Sequence, residues 1–296
     1  MNQASVSSAP IAVVTGASRG AGKGIALALG SKGYVVYVTG RTRNEGDADL
    51  PGTIDSTAAE VTCLGGKGIA VACDCSDEHQ IAALFAQIER DHGRLDVLVN
   101  NAASIHDDLI KPGPFWQKSA KLVDILDVGL RSSYLASFYA APLLVKNGRG
   151  LVVNTSSFGA RCYMHGAAYG AQKAGHDKMA HDMAHDFKPF NIAAVSIWMG
   201  MLRTERTERT ERTERVIGAE PEKYAELAKM MESPQLTGLV IDALYRDPQL
   251  LEKSGQTLVG AEQALHYGIA DINGSQPPSH RPMLGDPINW SAAVVE

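Results

Sequence analysis

Short runs of apolar residues, many of them β-branched, alternate along the chain with longer segments in which apolar residues recur at helical spacing. Several of the short runs are almost continuously apolar, which is typical of parallel strands buried on both faces. The pattern predicts seven strands, at Ile11–Thr15, Val35–Thr39, Gly68–Cys73, Val97–Asn100, Gly150–Thr155, Ala193–Trp198 and Gln256–Val259. It predicts helices at Gly22–Lys32, Glu78–His92, Ser119–Lys146, Tyr169–Phe187 and Tyr224–Met231. This alternation predicts an α/β fold, a doubly wound parallel sheet of Rossmann type in a single domain.

Two polar segments interrupt the alternation. Arg43–Asp55 holds several Gly and Pro residues, so we expect a surface excursion after the second strand. Residues 276–296 contain four prolines and are expected to form an irregular C-terminal tail, which could wrap a neighbouring subunit. Residues 1–275 would then form the cofactor-binding catalytic domain.

A third interruption, residues 203–232, opens with a tandem repeat. The triplet Arg203-Thr204-Glu205 occurs four times in succession and is closed by Arg215. Because a three-residue period drifts around a helix, the repeat has no apolar face to bury. Glu and Arg pairs at i,i+4 add only about 0.3 kcal/mol each. We expect a solvated helix or a mobile flap over the substrate, with direct ligand contact as the alternative.

The bulk composition excludes several classes of protein. The 296 residues are 45% hydrophobic and 21% charged, and the net charge of −5 offers no basic surface to a nucleic acid. No apolar run approaches the roughly 18 residues of a membrane span, and the N-terminal residues lack the features of a signal peptide. Four cysteines in so long a chain do not indicate a disulfide framework. We therefore expect a cytoplasmic protein without a membrane partner.

A glycine-rich turn directly follows the first strand. Gly16, Gly20 and Gly22 differ in spacing from the common G-x-G-x-x-G fingerprint, but they permit the same tight turn and the same close approach of backbone to a pyrophosphate. Ser18 and Arg19 lie within the turn. We predict a dinucleotide site here, and a glycine-rich turn without a ligand is the alternative.

The residues after the second strand favour NADP(H) over NAD(H). An NAD site usually places a carboxylate there to accept hydrogen bonds from the ribose 2′-hydroxyl. This chain instead reads Thr39–Thr42, which contains Arg41, and has no acid before Glu45. Arg41 and Arg19 could together bind a 2′-phosphate. Two arginines on a solvated rim are the alternative.

Tyr169 and Lys173 are spaced one helical turn apart and so share a helix face. A free phenol is a poor base near neutral pH, but a neighbouring ammonium group and an oxidised nicotinamide ring favour the phenolate. Ser156, at the end of a strand 13 residues upstream, is a hydroxyl suited to hold a substrate carbonyl. This set predicts an acid–base site.

These motifs together resemble the short-chain dehydrogenase/reductase family. The resemblance covers about residues 10–205, the cofactor-binding half, and further segments around residues 127–131, 196–198, 254–258 and 264–274 are similar to one subgroup of that family. It is carried by Thr15-Gly16-x3-Gly20-x-Gly22, Asp74, Asn100-Asn101-Ala102, Ser156, Tyr169-x3-Lys173 and Met199-Gly200-x3-Thr204.

The resemblance implies catalytic roles for three residues. Tyr169 would be the general acid and base, Lys173 would lower its pKa and hold the nicotinamide ribose, and Ser156 would orient the carbonyl. Ser157 is a possible substitute, but only Ser156 has both the 13-residue spacing to Tyr169 and Gly159 three residues on.

The resemblance also implies cofactor contacts beyond the glycine turn. Asp74 would contact the adenine and Asn100 the adenosine side of the sheet, with Ala102 beside it. Gly200 would line the nicotinamide side, and Thr204 would contact the carboxamide.

Two positions depart from the family pattern. Gly129 stands where members usually carry an Asn that fixes a water linked to the lysine, which leaves the proton relay unassigned, although the resembling subgroup also has Gly there. Met199 replaces the Pro of a Pro-Gly turn, which would loosen the entry to the 203–232 segment.

Two groups of residues have spacings found in metal sites. His181 and His185 lie one helical turn apart, but the residues between them lack the acid of an HExxH site, so we expect surface histidines. Cys73 and Cys75 flank Asp74 and are expected to border the adenine pocket. We predict no metal site.

The sequence therefore predicts an NADP(H)-dependent oxidoreductase that transfers a hydride between nicotinamide C4 and a small carbonyl compound or secondary alcohol. By the same resemblance we expect a homodimer or homotetramer. The alternative from another class is a catalytically silent protein that senses NADP(H) or scaffolds partners. An epimerase or dehydratase that retains its cofactor is a further alternative.

Overall fold

The computed structural model describes residues 9–209, 222 and 228–295, and its centre is a parallel sheet of seven strands. The strands are β1 Ile11–Val14, β2 Val35–Gly40, β3 Lys67–Ala72, β4 Val97–Asn100, β5 Gly150–Ser157, β6 Ile192–Met199 and β9 Thr257–Val259. Their order across the sheet is β3-β2-β1-β4-β5-β6-β9, so the connections reverse direction between β1 and β4. Such a reversal opens a crevice at the carboxyl ends of the strands, where ligands bind.

Helices cover both faces of the sheet. The helices are α1 Gly20–Ser31, α2 Ile54–Cys63, α3 Glu78–His92, α4 Ser132–Asn147, α5 Ala167–Phe187, α6 Glu205–Arg209, α7 Pro234–Arg246, α8 Gly260–His266 and α9 Arg281–Leu284. Helices α1, α2, α7 and α8 pack on one face, and α3, α4 and α5 pack on the other.

The two cores explain why the strands read as continuous apolar runs. Within β1, Ala12 and Val14 contribute to one core, while Ile11 and Val13 contribute to the other. Successive side chains of a strand point to opposite faces, so a strand covered on both sides needs apolar residues at every position. The predicted fold class is confirmed: the structure is an α/β domain with a seven-stranded parallel sheet.

A short parallel pair lies outside the main sheet. Strand β7, Met201–Leu202, pairs with β8, Met231–Glu232, and the Arg203 N–H donates to the Glu232 carbonyl at 3.0 Å. The segment that opens with the Arg-Thr-Glu repeat therefore begins and ends side by side. Most of the predicted helix Tyr224–Met231 falls outside the described residues, and Met231 itself lies in β8.

Several helices differ from the prediction. Helix α2 follows the polar excursion directly and α7 follows β8, and neither is among the predicted helices. The short helices α8 and α9 were not predicted either, and α9 lies in the tail that was expected to be irregular. The single predicted helix at Ser119–Lys146 is instead divided into a 3-10 turn at Ala120–Val123, a π-helix at Leu126–Arg131 and helix α4. The π-helix places Gly129 at the carboxyl edge of the sheet beside α5.

The C-terminal tail packs on its own chain. Leu284 joins a small apolar cluster with Phe158 and Trp198. The Trp290 ring lies 5.8 Å from the His181 ring on α5. Within the described ranges, none of the helices combines the length and the apolar character needed to cross a bilayer.

Candidate active site

The glycine turn between β1 and α1 excludes side chains on one side and is open on the other. Gly16 and Gly20 have φ values of +65° and +58°, which favour glycine. A Cβ built on Gly16 would lie 2.8 Å from Ala102 Cα, and one on Gly22 would lie 2.3 Å from the Gly16 carbonyl oxygen. The nearest atom to a Cβ on Gly20 would be Thr204 Cγ2 at 3.9 Å. The turn therefore leaves room for a ligand beside Gly20.

Asn101 fastens this turn to the neighbouring strand. Its side-chain amide donates to the carbonyl oxygens of Thr15 at 2.9 Å and Gly16 at 3.2 Å. Thr15 Oγ1 accepts from the backbone N–H groups of Asn101 and Ala102. Asn101 belongs to the Asn100-Asn101-Ala102 motif, but the sequence alone did not indicate this structural role. Its neighbour in the motif, Ala102, is the residue that packs against Gly16.

Glu205 marks the anion-binding position of the turn. Helix α1 begins at Gly20 without an acidic residue in its first turn, so its N-terminal N–H groups are available to an anion. The Gly20 N–H donates to Glu205 Oε2 at 3.0 Å. A carboxylate thus occupies the position where a phosphate oxygen would bind at a helix N-terminus. This contact and the open side of Gly20 indicate that the turn fits the pyrophosphate of a dinucleotide.

The Arg19 side chain forms hydrogen bonds with the loop after β2. Its guanidinium donates to the carbonyl oxygens of Pro51 at 3.0 Å and Gly52 at 2.8 Å, and to Thr42 Oγ1 at 3.1 Å. The excursion Arg43–Asp55 therefore folds back towards the glycine turn, and Arg19 holds it there.

Arg41 is held much more loosely. Its side chain is 68% exposed, and its Nη1 lies 3.8 Å from Asp74 Oδ2. Asp74 Oδ1 accepts from the N–H and hydroxyl of Ser76, so the aspartate is fixed by its own loop. Ser18 is buried, with its Oγ 3.8 Å from a Cβ built on Gly40. The structure thus brings Ser18, Arg41 and Asp74 to the ends of β1, β2 and β3.

Asn100 is fully buried and joins three elements. Its Nδ2 donates to Ser137 Oγ on α4 and to Asn154 Oδ1 on β5, both at 2.9 Å. This geometry gives Asn100 a structural role at the centre of the sheet, between the glycine turn and β5.

Gly200 and Thr204 lie at the start of the repeat segment. The Gly200 N–H donates to Glu232 Oε1 at 2.9 Å, and a Cβ on Gly200 would lie 3.0 Å from Glu232 Oε2. Burial raises the pKa of Glu232 to about 7. Thr204 exchanges hydrogen bonds with Thr207 at the first turn of α6. Thr204 therefore lies beside the glycine turn, whereas Gly200 lies against Glu232 and His280.

Tyr169 and Lys173 lie next to each other on α5, as their spacing predicts. Lys173 Nζ lies 5.5 Å from the centroid of the Tyr169 ring and donates to the Thr155 carbonyl at 3.1 Å. Tyr169 Oη lies 2.8 Å from Ser157 Oγ. Only β4 separates β5 from β1, so these two strands lie about 10 Å apart at a strand spacing of about 4.8 Å.

The hydroxyl beside Tyr169 belongs to Ser157, which corrects the placement expected for Ser156. Ser156 is fully buried, and its Oγ donates to the Lys173 carbonyl at 3.1 Å. Adjacent residues of a strand point to opposite sides, so only one of the two serines can face Tyr169. A Cβ on Gly159 would lie 2.5 Å from the Tyr169 ring, which explains the glycine near this site.

Burial changes the acidity of both members of the pair. It raises the pKa of Tyr169, and the hydrogen bond with Ser157 offsets only part of that rise. It lowers the pKa of Lys173 to about 8, against the opposing effect of Asp177. The pKa of Tyr169 thus moves in the direction opposite to that expected from the sequence, because desolvation disfavours the phenolate. Tyr169 is accordingly a protonated phenol near neutral pH.

Gln172 fills the space above Gly129. A Cβ on Gly129 would lie 2.2 Å from Gln172 Nε2 and 2.8 Å from Gln172 Cδ. Gln172 is 1% exposed, and its amide has no hydrogen-bond partner among the described residues. Gly129 stands where the family pattern has Asn. A larger side chain does not fit there because the Gln172 amide occupies the space.

A cavity of about 290 Å³ lies at the first turns of α5. Gly170 and Ala171, which follow Tyr169 in the helix, line it together with apolar and aromatic residues from other segments. These are Phe115, Cys162, Tyr163 and Met164. The lining of this cavity is therefore largely apolar.

The described part of the chain places no three His, Cys, Asp or Glu side chains together for a metal ion. Cys73 and Cys75 are buried next to Asp74. His181 is half-buried against Trp290, and His185 is exposed.

Comparisons with known proteins agree with this geometry. A family model described as short chain dehydrogenase matches residues 10–215. Dehydrogenase/reductase SDR family member 1 of Mus musculus is 39% identical over 275 residues, covering 89% of this chain and 83% of the relative. The Homo sapiens protein of that name is 38% identical over 270 residues, with the same coverage. The subgroup resemblance found in the sequence is confirmed by these two relatives.

A solved structure supports the fold as well. A crystal structure from Xanthomonas campestris has a TM-score of 0.73 to this chain at 24% identity, covering 91% of this chain and 96% of that chain. The family model and the two relatives agree on one family, and this structure agrees on the fold. The chain belongs to the short-chain dehydrogenase/reductase family, whose members are oxidoreductases that use nicotinamide cofactors.

Proposed function

We propose that this protein is an NADP(H)-dependent oxidoreductase that interconverts a small carbonyl compound and the corresponding secondary alcohol, with Tyr169 as the general acid and base. The observation that supports it best is the 2.8 Å contact between Tyr169 Oη and Ser157 Oγ, at the carboxyl end of β5. Lys173 completes the group from the next turn of α5. The centre and the glycine turn both lie at the carboxyl edge of the sheet, which supports their acting on one ligand.

The bound nicotinamide would supply or accept a hydride at its C4 atom. In the reducing direction, the protonated Tyr169 donates its proton to the substrate oxygen as negative charge develops there. Ser157 donates a hydrogen bond to the same oxygen and thereby fixes its position. The ammonium of Lys173 stabilises the phenolate that remains. Positioning is expected to provide most of the rate, and the general acid about 10²–10⁴-fold.

The NADP(H) preference is argued from the ends of β1 and β2. Arg41 has an exposed guanidinium whose only ion pair among the described residues is the 3.8 Å contact with Asp74. It can therefore turn towards a 2′-phosphate at little cost, since exposed ion pairs contribute about 0–1 kcal/mol. The buried hydroxyl of Ser18 lies close by, 3.8 Å from a Cβ built on Gly40, the residue before Arg41. Arg19 contributes less directly, because it shapes the loop that surrounds the phosphate.

Helix α4 has an exposed aromatic face that bears on subunit assembly. Helix α4 exposes Tyr134 and Phe138, which lie one turn apart on the same face and are 54% and 60% exposed. Adjacent exposed aromatic residues are typical of a surface that a second subunit covers. We propose a homodimer or homotetramer that uses this face.

The test of the proposed chemistry is Tyr169→Phe. This change removes one oxygen atom and keeps the ring, so NADPH should bind as in the wild type while turnover on carbonyl compounds is lost. NADPH consumption over a panel of carbonyl compounds measures turnover, and fluorescence titration measures cofactor affinity. Turnover at the wild-type rate would rule out the mechanism. Tight cofactor binding by the wild type without turnover on any compound would favour a sensor or scaffold.

A further inference from the structure

His176 is a buried imidazole that the proposed chemistry does not use. It lies on α5 one turn beyond Lys173 and is fully buried. Burial and, to a smaller extent, the nearby Lys173 ammonium lower the pKa of His176 to about 4, so the ring is neutral. Both of its ring nitrogens contact oxygen atoms of other secondary-structure elements.

The ring spans the gap between strand β5 and the π-helix. Nδ1 lies 2.9 Å from the Thr155 carbonyl oxygen. Nε2 lies 3.0 Å from the Gly129 carbonyl oxygen and 3.1 Å from Ser133 Oγ. The backbone carbonyl of His176 in turn accepts from Asn154 Nδ2 at 3.0 Å. The residue is thus fixed at both its side chain and its main chain.

The carbonyl oxygen of Thr155 is shared between two donors from α5. Lys173 Nζ donates to it at 3.1 Å, and His176 Nδ1 contacts it from the other side. Thr155 is the residue before the two serines at the end of β5. The direction of this one carbonyl therefore determines where the Lys173 ammonium points, and hence how it faces Tyr169.

A neutral imidazole carries one proton, so it donates to only one of its two carbonyl partners. With the proton on Nδ1, the ring donates to the Thr155 carbonyl, and Nε2 can accept from the Ser133 hydroxyl at 3.1 Å. With the proton on Nε2, the unprotonated Nδ1 would face the Thr155 carbonyl oxygen at 2.9 Å with no hydrogen between them. The Nδ1–H tautomer therefore gives both ring nitrogens a partner, and it adds a second donor to the oxygen that also accepts from Lys173.

We propose that His176 is a positioning residue for the acid–base centre: its imidazole holds the Thr155 carbonyl between the π-helix and Lys173, and so keeps the Lys173 ammonium directed at Tyr169. The proposal rests on the proposed function for its effect on turnover. The geometric part does not, because the Lys173 environment can be measured without a reaction.

Two amide substitutions separate the two ring nitrogens. The amide nitrogen of Asn lies near the position of Nδ1, whereas the longer Gln places it near Nε2. The test compares His176→Asn, His176→Gln and His176→Leu with the wild type. We expect kcat to fall about tenfold or more in His176→Leu and His176→Gln with KM nearly unchanged, because a displacement of about 1 Å at a catalytic group costs up to about 10²-fold. His176→Asn should remain within about threefold of the wild type.

The second readout is the pKa of Lys173, followed by NMR of isotopically labelled lysine and assigned with the Lys173→Arg variant. It should move in His176→Leu and stay at the wild-type value in His176→Asn. A purely structural role predicts equal losses of kcat and thermal stability in all three variants, and that result would overturn the proposal. So would an unchanged kcat and an unchanged Lys173 pKa in His176→Leu.

A control variant and the NMR readout distinguish the possible failures. Gln263→Met removes an amide whose Oε1 is buried without a partner among the described residues. Gln263 lies on α8, which packs on the opposite face of the sheet from α5, so this variant should leave kcat and the Lys173 signal unchanged. If the wild type turned over no carbonyl compound, the proposed function would fail. The Lys173 pKa in the His176 variants would still decide the positioning role.

Discussion

The proposed acid–base centre at β5 and the proposed adenine end at β2 and β3 lie on the same edge of the same sheet, yet their side chains are held very differently. Lys173 is buried, and Tyr169 has a hydroxyl partner, Ser157, at 2.8 Å. At the other end, the guanidinium of Arg41 is 68% exposed and has a loose ion pair with Asp74. Buried polar groups are costly to leave without partners, whereas exposed ones are easily replaced by water.

The difference in burial matches what catalysis and cofactor selection each require. Chemistry needs groups fixed to fractions of an ångström, which burial in a hydrogen-bonded network provides. Cofactor selection needs only a charge of the right sign at the right distance. Substitutions at the centre should therefore alter rates strongly, and those at the adenine end should alter affinities modestly.

The largest effect is expected from the two adjacent serines. Ser157→Ala removes the hydroxyl partner of Tyr169 and should lower kcat about 10²-fold, as loss of one donor to a developing oxyanion does. Ser156→Ala is the matched control, because its hydroxyl binds the Lys173 carbonyl. It should keep kcat within a few-fold of the wild type and cost about 1 kcal/mol of stability. Steady-state kinetics and thermal unfolding of both variants check the assignment, and the reverse ranking would restore Ser156 as the catalytic serine.

The next effect concerns packing at the centre. Gly129→Ala puts a methyl group within 2.2 Å of Gln172 Nε2 and should lower the free energy of unfolding by about 1–3 kcal/mol. The double variant Gly129→Ala with Gln172→Ala should recover most of this loss, because the shortened side chain vacates the same volume. Denaturant unfolding measures both. Additive losses in the double variant would contradict the packing account.

A smaller effect is expected at the adenine end. Arg41→Ala should weaken NADP⁺ binding about tenfold and leave NAD⁺ binding unchanged, because only the former carries the 2′-phosphate. Arg43→Ala serves as the control, since Arg43 pairs with Asp55 in the same loop. Fluorescence titration with both dinucleotides gives the four affinities. Equal weakening of NAD⁺ and NADP⁺ by Arg41→Ala would remove the argument for a phosphate preference.

The smallest effect tests the carboxylate at the helix N-terminus. Glu205→Gln removes a negative charge from the Gly20 N–H and should tighten NADP⁺ binding about two- to threefold, which is the usual size of such an effect at an exposed helix end. Glu208→Gln changes the same residue of the next triplet and should have no effect on affinity. Calorimetric titration can resolve the difference, and equal changes in both variants would point to net charge alone.

The strands were predictable because each is apolar on both sides. Their predicted bounds agree with the structure to within about two residues, a normal uncertainty for strand ends. Helix α2 was missed because its capping box uses Thr53 and Ser56, and Ser at the third position is a weaker signal than Glu or Gln. Helix α7 carried a signal that was overlooked: Ser233 and Pro234 precede Leu236, Val240 and Leu244 at helical spacing.

The candidate site was predictable in its motifs but not in its details. The spacing of Tyr169 and Lys173 identifies a shared helix face, so that pair needed no coordinates. The choice between Ser156 and Ser157 depends on which way the last residues of β5 point, and spacing along the chain does not give that direction. The contacts of Gln172 and His176 join α5 to the π-helix, and no local pattern predicts a contact between distant segments.

The short parallel pair of β7 and β8 has a consequence for how this gene product can vary. Met201 pairs with Met231, and the Gly200 N–H donates to Glu232, so the residues on either side of the segment are held together directly. These contacts involve no residue of the later Arg-Thr-Glu triplets. Gain or loss of a whole triplet beyond the first should therefore leave this strand pair intact.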